Sequence, residues 1–485
     1  MKLFRLLILS SLALSIQLSL VLAEVHMANG IKIGEVDSDS AIIWTRLTQT
    51  PEGLRPGVSF IALKKLNVRK TAPGYDGMDQ LPEGKTLAEM EGAVPGVAGE
   101  VRLTYWPENA EEQKIDTGWH PVDAHRDYTR QFQITQLQPG TRYHILIKGR
   151  PLSGDSAASV LEGSFMTAPL ADEVIDICGV ITTCGDYERM DDDLNGHTIY
   201  QTILDQIKPH FFVHAGDIEY YDKPNPWAPS RDLARFKMTR LYAMPFNRKL
   251  HRYTASYFMK DDHDITKNDA WPGQNFGALT WEIGLDVFAE QFPVGEQPYR
   301  TVRWGKDLQI WMLEGREYRS PNNLPDGPEK TILGQKQKQW LFDTVKESDA
   351  TFKVLISSTP IVGPDRKNKK DNHANLVFQH EGDELRRFIS KQKNLFVANG
   401  DRHWQYHAID EETGVHEFSC GPHSDQHAGG FSADMKTAEH QFLRIKGGFL
   451  SVQVSRQSGQ PQISFQHHDV QGKVVNEAVF FQETR

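Results

Sequence analysis

Only three cysteines occur among the 485 residues, too few to serve as a disulfide framework for a chain of this size. Cys178 and Cys184 could pair locally, but a strand over 174–182 would leave Cys178 inside it and Cys184 past its end, which argues against a bridge. Beyond residue 23 no apolar run approaches the length of a membrane span, so no transmembrane segment is expected in the mature chain. Excess positive charge is missing too. The formal net charge is −10, which argues against a general binder of nucleic acid or acidic membranes. A local basic patch could still hold an anionic substrate. His380-Glu381 has no second histidine at zincin spacing, and that metalloprotease reading is rejected. No internal repeat is evident.

Residues 1–23 have the pattern of a signal peptide. Lys2 and Arg5 give a positive start, Leu6 to Leu22 an apolar stretch, and Val21-Leu22-Ala23 a small-residue exit before Glu24. An uncleaved membrane anchor is the alternative. No cysteine follows the exit, which argues against a lipoprotein, and no Arg-Arg pair precedes it, which favours general secretion over the twin-arginine route. A secreted or periplasmic protein is expected.

Residues 24–169 read as a β-rich N-terminal domain. Ser40 to Leu47, Val101 to Trp106, Tyr128 to Ile134 and Tyr143 to Lys148 are short apolar or alternating runs separated by turn residues. Leu137 to Tyr143 resembles the corner of a fibronectin-type sandwich, with Tyr143 as its tyrosine. Residues 50–98 are rich in Gly and Pro and are expected to form a surface insertion. From about 170 to 485 the texture is that of an α/β domain. Val174 to Thr182, His210 to His214, Ser256 to Met259, Leu308 to Leu313, Phe352 to Ser357 and Leu395 to Ala398 suit strands buried on both faces. Gly334 to Lys346 and Gly382 to Gln392 carry helical patterns.

Several of these runs end in a polar cluster: Cys184-Gly-Asp-Tyr, Gly216-Asp217-Ile-Glu-Tyr220, Asp261-Asp262-His263-Asp264, Arg316-Glu-Tyr318-Arg319 and Gly400-Asp401-Arg-His403. Ligands of layered α/β folds bind beyond the carboxyl ends of the strands, where such clusters converge. Cleaving a phosphate ester takes a nucleophile, neutralisation of the phosphoryl oxygens and protonation of the leaving group. Two adjacent metal ions supply the first two. The clusters hold the residue types such a site needs: carboxylates, further donors and a nearby acid.

The ordered set, with Ile42-Ile-Trp-Thr-Arg46, Leu137 to Tyr143 and the GQ…QWL segment at 334–341, resembles the alkaline phosphatase D (PhoD-like) metallophosphatases of the calcineurin-like metallophosphoesterase superfamily. The resemblance covers most of the mature chain. It implies an α/β catalytic domain of two mixed sheets packed face to face between helices, preceded by the β-sandwich. It also implies an exported phosphoesterase working by metal-activated hydroxide attack. Asp217 would be the bridging carboxylate, and Cys184, Tyr220 and His403 would complete one metal site. Asp262 and Asp401 would serve the other, and His263 would assist the leaving group. The resemblance implies Fe(III) plus Ca²⁺. Thiolate, phenolate and imidazole donors suit a transition metal and an all-oxygen site suits Ca²⁺, Mg²⁺ or Mn²⁺; Zn²⁺ also stays open. Arg316 and Arg319 are candidates for anion binding or site support, and Asn372 and His373 stand where an additional ligand could occur. Gly185, Glu314 and Asp264 depart from the family pattern, and Asp264 leaves its partner unassigned. A phosphodiesterase or phospholipase on the same site is the enzymatic alternative. A non-catalytic exported binding protein on the same scaffold is the alternative of another class.

Overall fold

The computed structural model describes residues 25–63, 72–152, 154 and 157–482, so the expected signal peptide lies outside the described residues. Strict alternation sets the N-terminal sheet. Glu100–Pro107 and Arg142–Arg150 bury every second residue, among them Val101, Leu103, Ile145 and Ile147. With Ile115–Pro121 outside one and Ser159–Met166 outside the other they form a four-stranded antiparallel sheet. Its apolar face shares one core with Ile31, Ile33, Ile43 and Phe132 of the opposing strands. The corner is present: the Gln138 amide donates to Tyr143 Oη at 2.9 Å.

The opposing strands do not end at the sandwich. Gly34 pairs in parallel with Ser256, and a nine-stranded sheet results. Its order is Val474–Phe481, Gln460–His468, Phe449–Gln457, Ile177–Thr182, Phe211–Ala215, Ala255–Met259, Ile31–Gly34, Ala41–Arg46, Thr129–Ile134. Side chains fasten the same junction. The Lys32 ammonium donates to the Gln291 carbonyl at 2.7 Å and lies 3.7 Å from the Trp44 ring, 4.1 Å from Tyr242 and 4.9 Å from Phe292. Trp44 Nε1 donates to the Glu290 carbonyl at 2.8 Å. Part of the 50–98 insertion is not surface, because Met90 and Ala93 are buried with Phe236 of the helix Arg231–Tyr242.

A seven-stranded sheet runs Arg300–Trp304, Leu308–Met312, Phe352–Ser357, Leu395–Asn399, His416–Cys420, Gln405–Ile409, His440–Arg444. The two large sheets face each other: Ile177, Val213 and Met259 of one share a core with Ile310, Val354 and Ile356 of the other. Successive strand residues point to opposite faces. Leu355 therefore packs outward with Leu341 and Val345 of the helix Gly334–Glu347, and with Leu385 and Ile389 of the helix Gln379–Ile389. Met238 and Leu241 of the helix Arg231–Tyr242, with Val287 and Phe288 of the helix Trp281–Gln291, cover the other outer face at Phe258. The architecture is the expected pair of mixed sheets between helices. Among the described residues no helix is long and apolar enough to cross a membrane.

Candidate metal centre

The parallel strands Ile177–Thr182, Phe211–Ala215, Ala255–Met259 and Leu395–Asn399 are each followed by one of the polar clusters. The loops are laced together by backbone bonds: the Cys184 amide to the Gly216 carbonyl at 3.3 Å and the Gly185 amide to the Asp217 carbonyl at 2.8 Å. The Asp401 amide reaches Thr183 Oγ1 at 3.1 Å. Cys184, Asp217 and Asp401 all have left-handed backbone, with φ of 56°, 56° and 60°. Non-glycine residues adopt that region sparingly, and a cluster of them marks a place where geometry outranks local stability. Gly185 is explained by space: a side chain there would press into the Ile218 carbonyl.

Asp217 is common to three groups whose potential donor atoms lie within 4.8 Å of one another: with Cys184 and His403, with Asp262 and His263, and with Asp261 and Asp401. Cys184 Sγ is 3.5 Å from Asp217 Oδ2. Tyr220 Oη lies 3.2 Å from the same oxygen and 3.1 Å from His403 Nε2. The structure thus brings together the four donors expected for one site. Asp262 and Asp401 both neighbour Asp217 but fall in different groups, and Asp261 joins Asp401. Asp217 Oδ1 and Asp261 Oδ2 are buried without a hydrogen-bond partner. Burial pushes the Cys184 thiol, the Tyr220 phenol and the Asp217 carboxyl upward, the first two aided by the Asp217 charge. Buried oxygens with no partner, beside a thiol and a phenol that only a cation would ionise, fit a metal centre.

His263 has a partner that sequence reasoning missed. Its Nδ1 lies 2.6 Å from Asp222 Oδ1, and Asp222 Oδ2 accepts from the Asn268 amide at 3.0 Å. Burial opposes a charged imidazole, yet Asp222, Asp262 and Asp217 outweigh it and push His263 up to about 10. The signal was present as a second aspartate two residues after Tyr220, but its meaning depends on an imidazole supplied by another loop. Asp264, the unassigned departure, locks two loops: its Oδ1 accepts from the Ile218 amide at 2.8 Å and the Glu219 amide at 3.1 Å, and its Oδ2 from the Asp261 amide at 2.9 Å. Glu314 caps its own turn, accepting from the Arg316 amide at 2.7 Å and pairing with Lys260 at 2.6 Å.

Arg316 is wholly buried; its Nε contacts Asp261, and its Nη2 stands 3.6 Å from Asp262. It supports the carboxylates. Arg319 donates to the Asp371 carbonyl at 2.7 Å and to Asn322 at 2.9 Å. Asn372 and His373 are engaged elsewhere. Asn372 Nδ2 donates to Asp365 at 2.8 Å and its Oδ1 accepts from the Ala374 amide at 3.0 Å, while His373 Nε2 lies 2.9 Å from Glu381. Among the described residues His373 enters none of the donor groups. His427 is a further neighbour, its ring 4.2 Å from His403 and its Nδ1 3.1 Å from the Cys184 carbonyl.

Facing mixed sheets between helices, with carboxylate, imidazole, thiol and phenol converging at strand ends, define a metallophosphoesterase fold with a metal centre. The family follows from comparison with known proteins. A family model described as PhoD-like phosphatase matches residues 180–474, and one described as PhoD-like phosphatase, N-terminal domain, matches residues 14–169. The chain belongs to the PhoD-like phosphatase family. Alkaline phosphatase D of Bacillus subtilis (strain 168) is 24% identical over 258 residues, 45% of this chain and 42% of that protein. The match spans less than half the length of that relative. A solved structure of PhoD superposes with a TM-score of 0.71 at 16% identity, covering 94% of this chain and 90% of the other. Purple acid phosphatase PPD1 from yellow lupin (Lupinus luteus) seeds gives 0.61 at 12% identity, covering 93% and 73%. At these identities the likeness speaks for the fold.

Proposed function

We propose that this chain is an exported, metal-dependent phosphoesterase in which Cys184, Tyr220 and His403 would hold Fe(III), Asp262 and Asp401 would hold Ca²⁺, and Asp217 would serve both. The observation that carries this reading is the position of Asp217, whose donor atoms lie within 4.8 Å of Cys184 and His403, of Asp262 and His263, and of Asp261 and Asp401. Bound cations would supply an activated water and neutralise the phosphoryl oxygens. The chain's own residues do the rest. Asp222 fixes the Nδ1 of His263 and its charge favours the protonated imidazole, so that Nε2 can present a proton to the departing oxygen. Arg316 holds Asp261 and Asp262 in register, and Asp264 ties the Asp262 loop to the Asp217 loop.

Metal quantification of the native protein, with a phosphomonoester and a matched diester as substrates, tests the reading. Two bound cations and turnover of at least one ester are expected, and the ratio of the two rates ranks monoesterase against diesterase. Asp217→Asn and Asp262→Asn should each lower turnover by several orders of magnitude while the protein stays folded. Metal-free protein that hydrolyses neither ester would leave only a binding role.

A further inference from the structure

The segment from Gly363 to Asn375 lies against the loops of the metal centre, and three of its charges, Asp365, Lys369 and Asp371, pair with residues beside the proposed ligands. Asp365, its side chain fully buried, pairs with Arg402 at 2.9 Å, and Arg402 in turn contacts Asp401. Asp371 lies 3.7 Å from Arg316 Nη2. Lys369 stands between, its Nζ 2.6 Å from Asp269 Oδ1 and 3.1 Å from Asp371 Oδ2. The Asp269 amide donates to Asp262 Oδ2. Carboxylate oxygens of Asp262, Asp269 and Asp371 all lie within 4.8 Å of one another, the arrangement that a hard cation takes. The wholly buried Arg316 faces two of the three, its Nη2 3.6 Å from Asp262 and 3.7 Å from Asp371, and its Nη1 and Nη2 have no hydrogen-bond partner.

We propose that Lys369 is a positioning residue whose ammonium acts as the resident cation of the Asp262–Asp269–Asp371 trio and thereby fixes the Asp262 carboxylate. Three carboxylates this close repel unless a positive charge lies among them. A divalent ion would meet that need, but it would exchange with solvent and compete for Asp262, the oxygen donor of the neighbouring centre. An ammonium tethered to the main chain does neither. Burial and the Arg402 charge disfavour the charged lysine, and Asp371, Asp269 and Asp262 together more than restore it. The trio therefore has its cations tethered to the main chain, Lys369 at Asp269 and Asp371 and Arg316 beside Asp262 and Asp371, which leaves Asp262 to its exchangeable one.

The effect on Asp262 rests on the proposed metal centre; the cation count does not. The test uses the full chain as wild type, Lys369→Ala, Lys369→Arg and Lys369→Ala/Asp371→Asn. Each is equilibrated in defined Ca²⁺, freed of excess by gel filtration, analysed for metal, and melted as a function of Ca²⁺. Lys369→Ala should bind one Ca²⁺ more than wild type, and its melting temperature should rise with Ca²⁺. In low Ca²⁺ its turnover should fall about 10- to 100-fold and recover as Ca²⁺ is added. Lys369→Arg keeps the charge and should gain no ion, and Asp371→Asn should remove the extra ion from the Ala variant. A Lys369→Ala protein with wild-type metal content and no added response to Ca²⁺ overturns the proposal, whatever its turnover. Wild-type protein without metal or turnover would instead overturn the function proposed above.

Discussion

Acidification should cost stability through His467, a buried side chain far in sequence from the site clusters. It lies in the strand Gln460–His468, with Nε2 3.1 Å from the Ser419 carbonyl and Nδ1 3.2 Å from Asn476 Nδ2. One ring nitrogen faces an acceptor and the other a donor, which suits only the neutral imidazole. Burial, aided by the charge of His407, lowers His467 to about 3, against roughly 6.5 in an unfolded chain. Because the folded value is the lower one, stability is unaffected above about pH 6.5 and falls as the unfolded chain takes up the proton below it. The loss is about 1.4 kcal/mol per pH unit, hence about 2 kcal/mol at pH 5. That is a sizeable share of the roughly 5–15 kcal/mol by which proteins are stable. His467→Gln can keep a donor and an acceptor but does not titrate. Urea unfolding of both proteins between pH 5 and 8, at fixed metal concentration, reads the difference, and groups that titrate alike in both cancel. Wild type should lead by the most near pH 8, and the gap should shrink by about 2 kcal/mol at pH 5. A gap independent of pH would refute the assignment.

Asp222→Asn removes the charge beside His263, so esters with poor leaving groups should slow by about 10²-fold and those with good leaving groups by much less. Because the acid must be protonated, the alkaline decline of activity should also move to lower pH, and an unmoved pH profile would speak against the pair. With Fe(III) bound, phenolate and thiolate donors should colour concentrated native protein. Tyr220→Phe should then weaken and shift the absorption band and Cys184→Ser should shift it differently, whereas a colourless, fully active enzyme would point to two divalent ions. N-terminal sequencing of protein recovered from an export-competent host should begin near Glu24, and an intact, membrane-held N-terminus would reject export by cleavage.

The strands of the catalytic half were legible where apolar residues run together. Phe352–Ser357 was read correctly because both its faces are buried. The C-terminal strands Gln405–Ile409 and Gln460–His468 escaped notice because glutamine and histidine dilute their alternation, polar groups that find partners only once the sheets have formed. The pairing of Gly34 with Ser256 was equally invisible, since nothing local in either strand names the other. At the site, motif order picked out side chains that the structure brings together around Asp217. What stayed hidden was their support: Asp222 shows its use only beside His263, and Asp371 only once Arg316 and Lys369 are seen around it. Asn372 and His373 were of suitable type and near position, but Asp365 and Glu381 engage them first.

The nine-stranded sheet also dictates an order of events during synthesis. The early strand Ile31–Gly34 waits for Ala255–Met259, and Ile177–Thr182 waits for Phe449–Gln457, which in turn is flanked by Gln460–His468 near the end of the chain. Contacts of such long range close slowly, and the pairing of Ile177–Thr182 with Phe449–Gln457 cannot form while the ribosome still holds the latter. The large sheet therefore remains incomplete until Phe449–Gln457 and the strands after it have been made. For the export proposed above, a chain in that condition could still be threaded through a narrow translocation pore and assemble its metal centre on the far side.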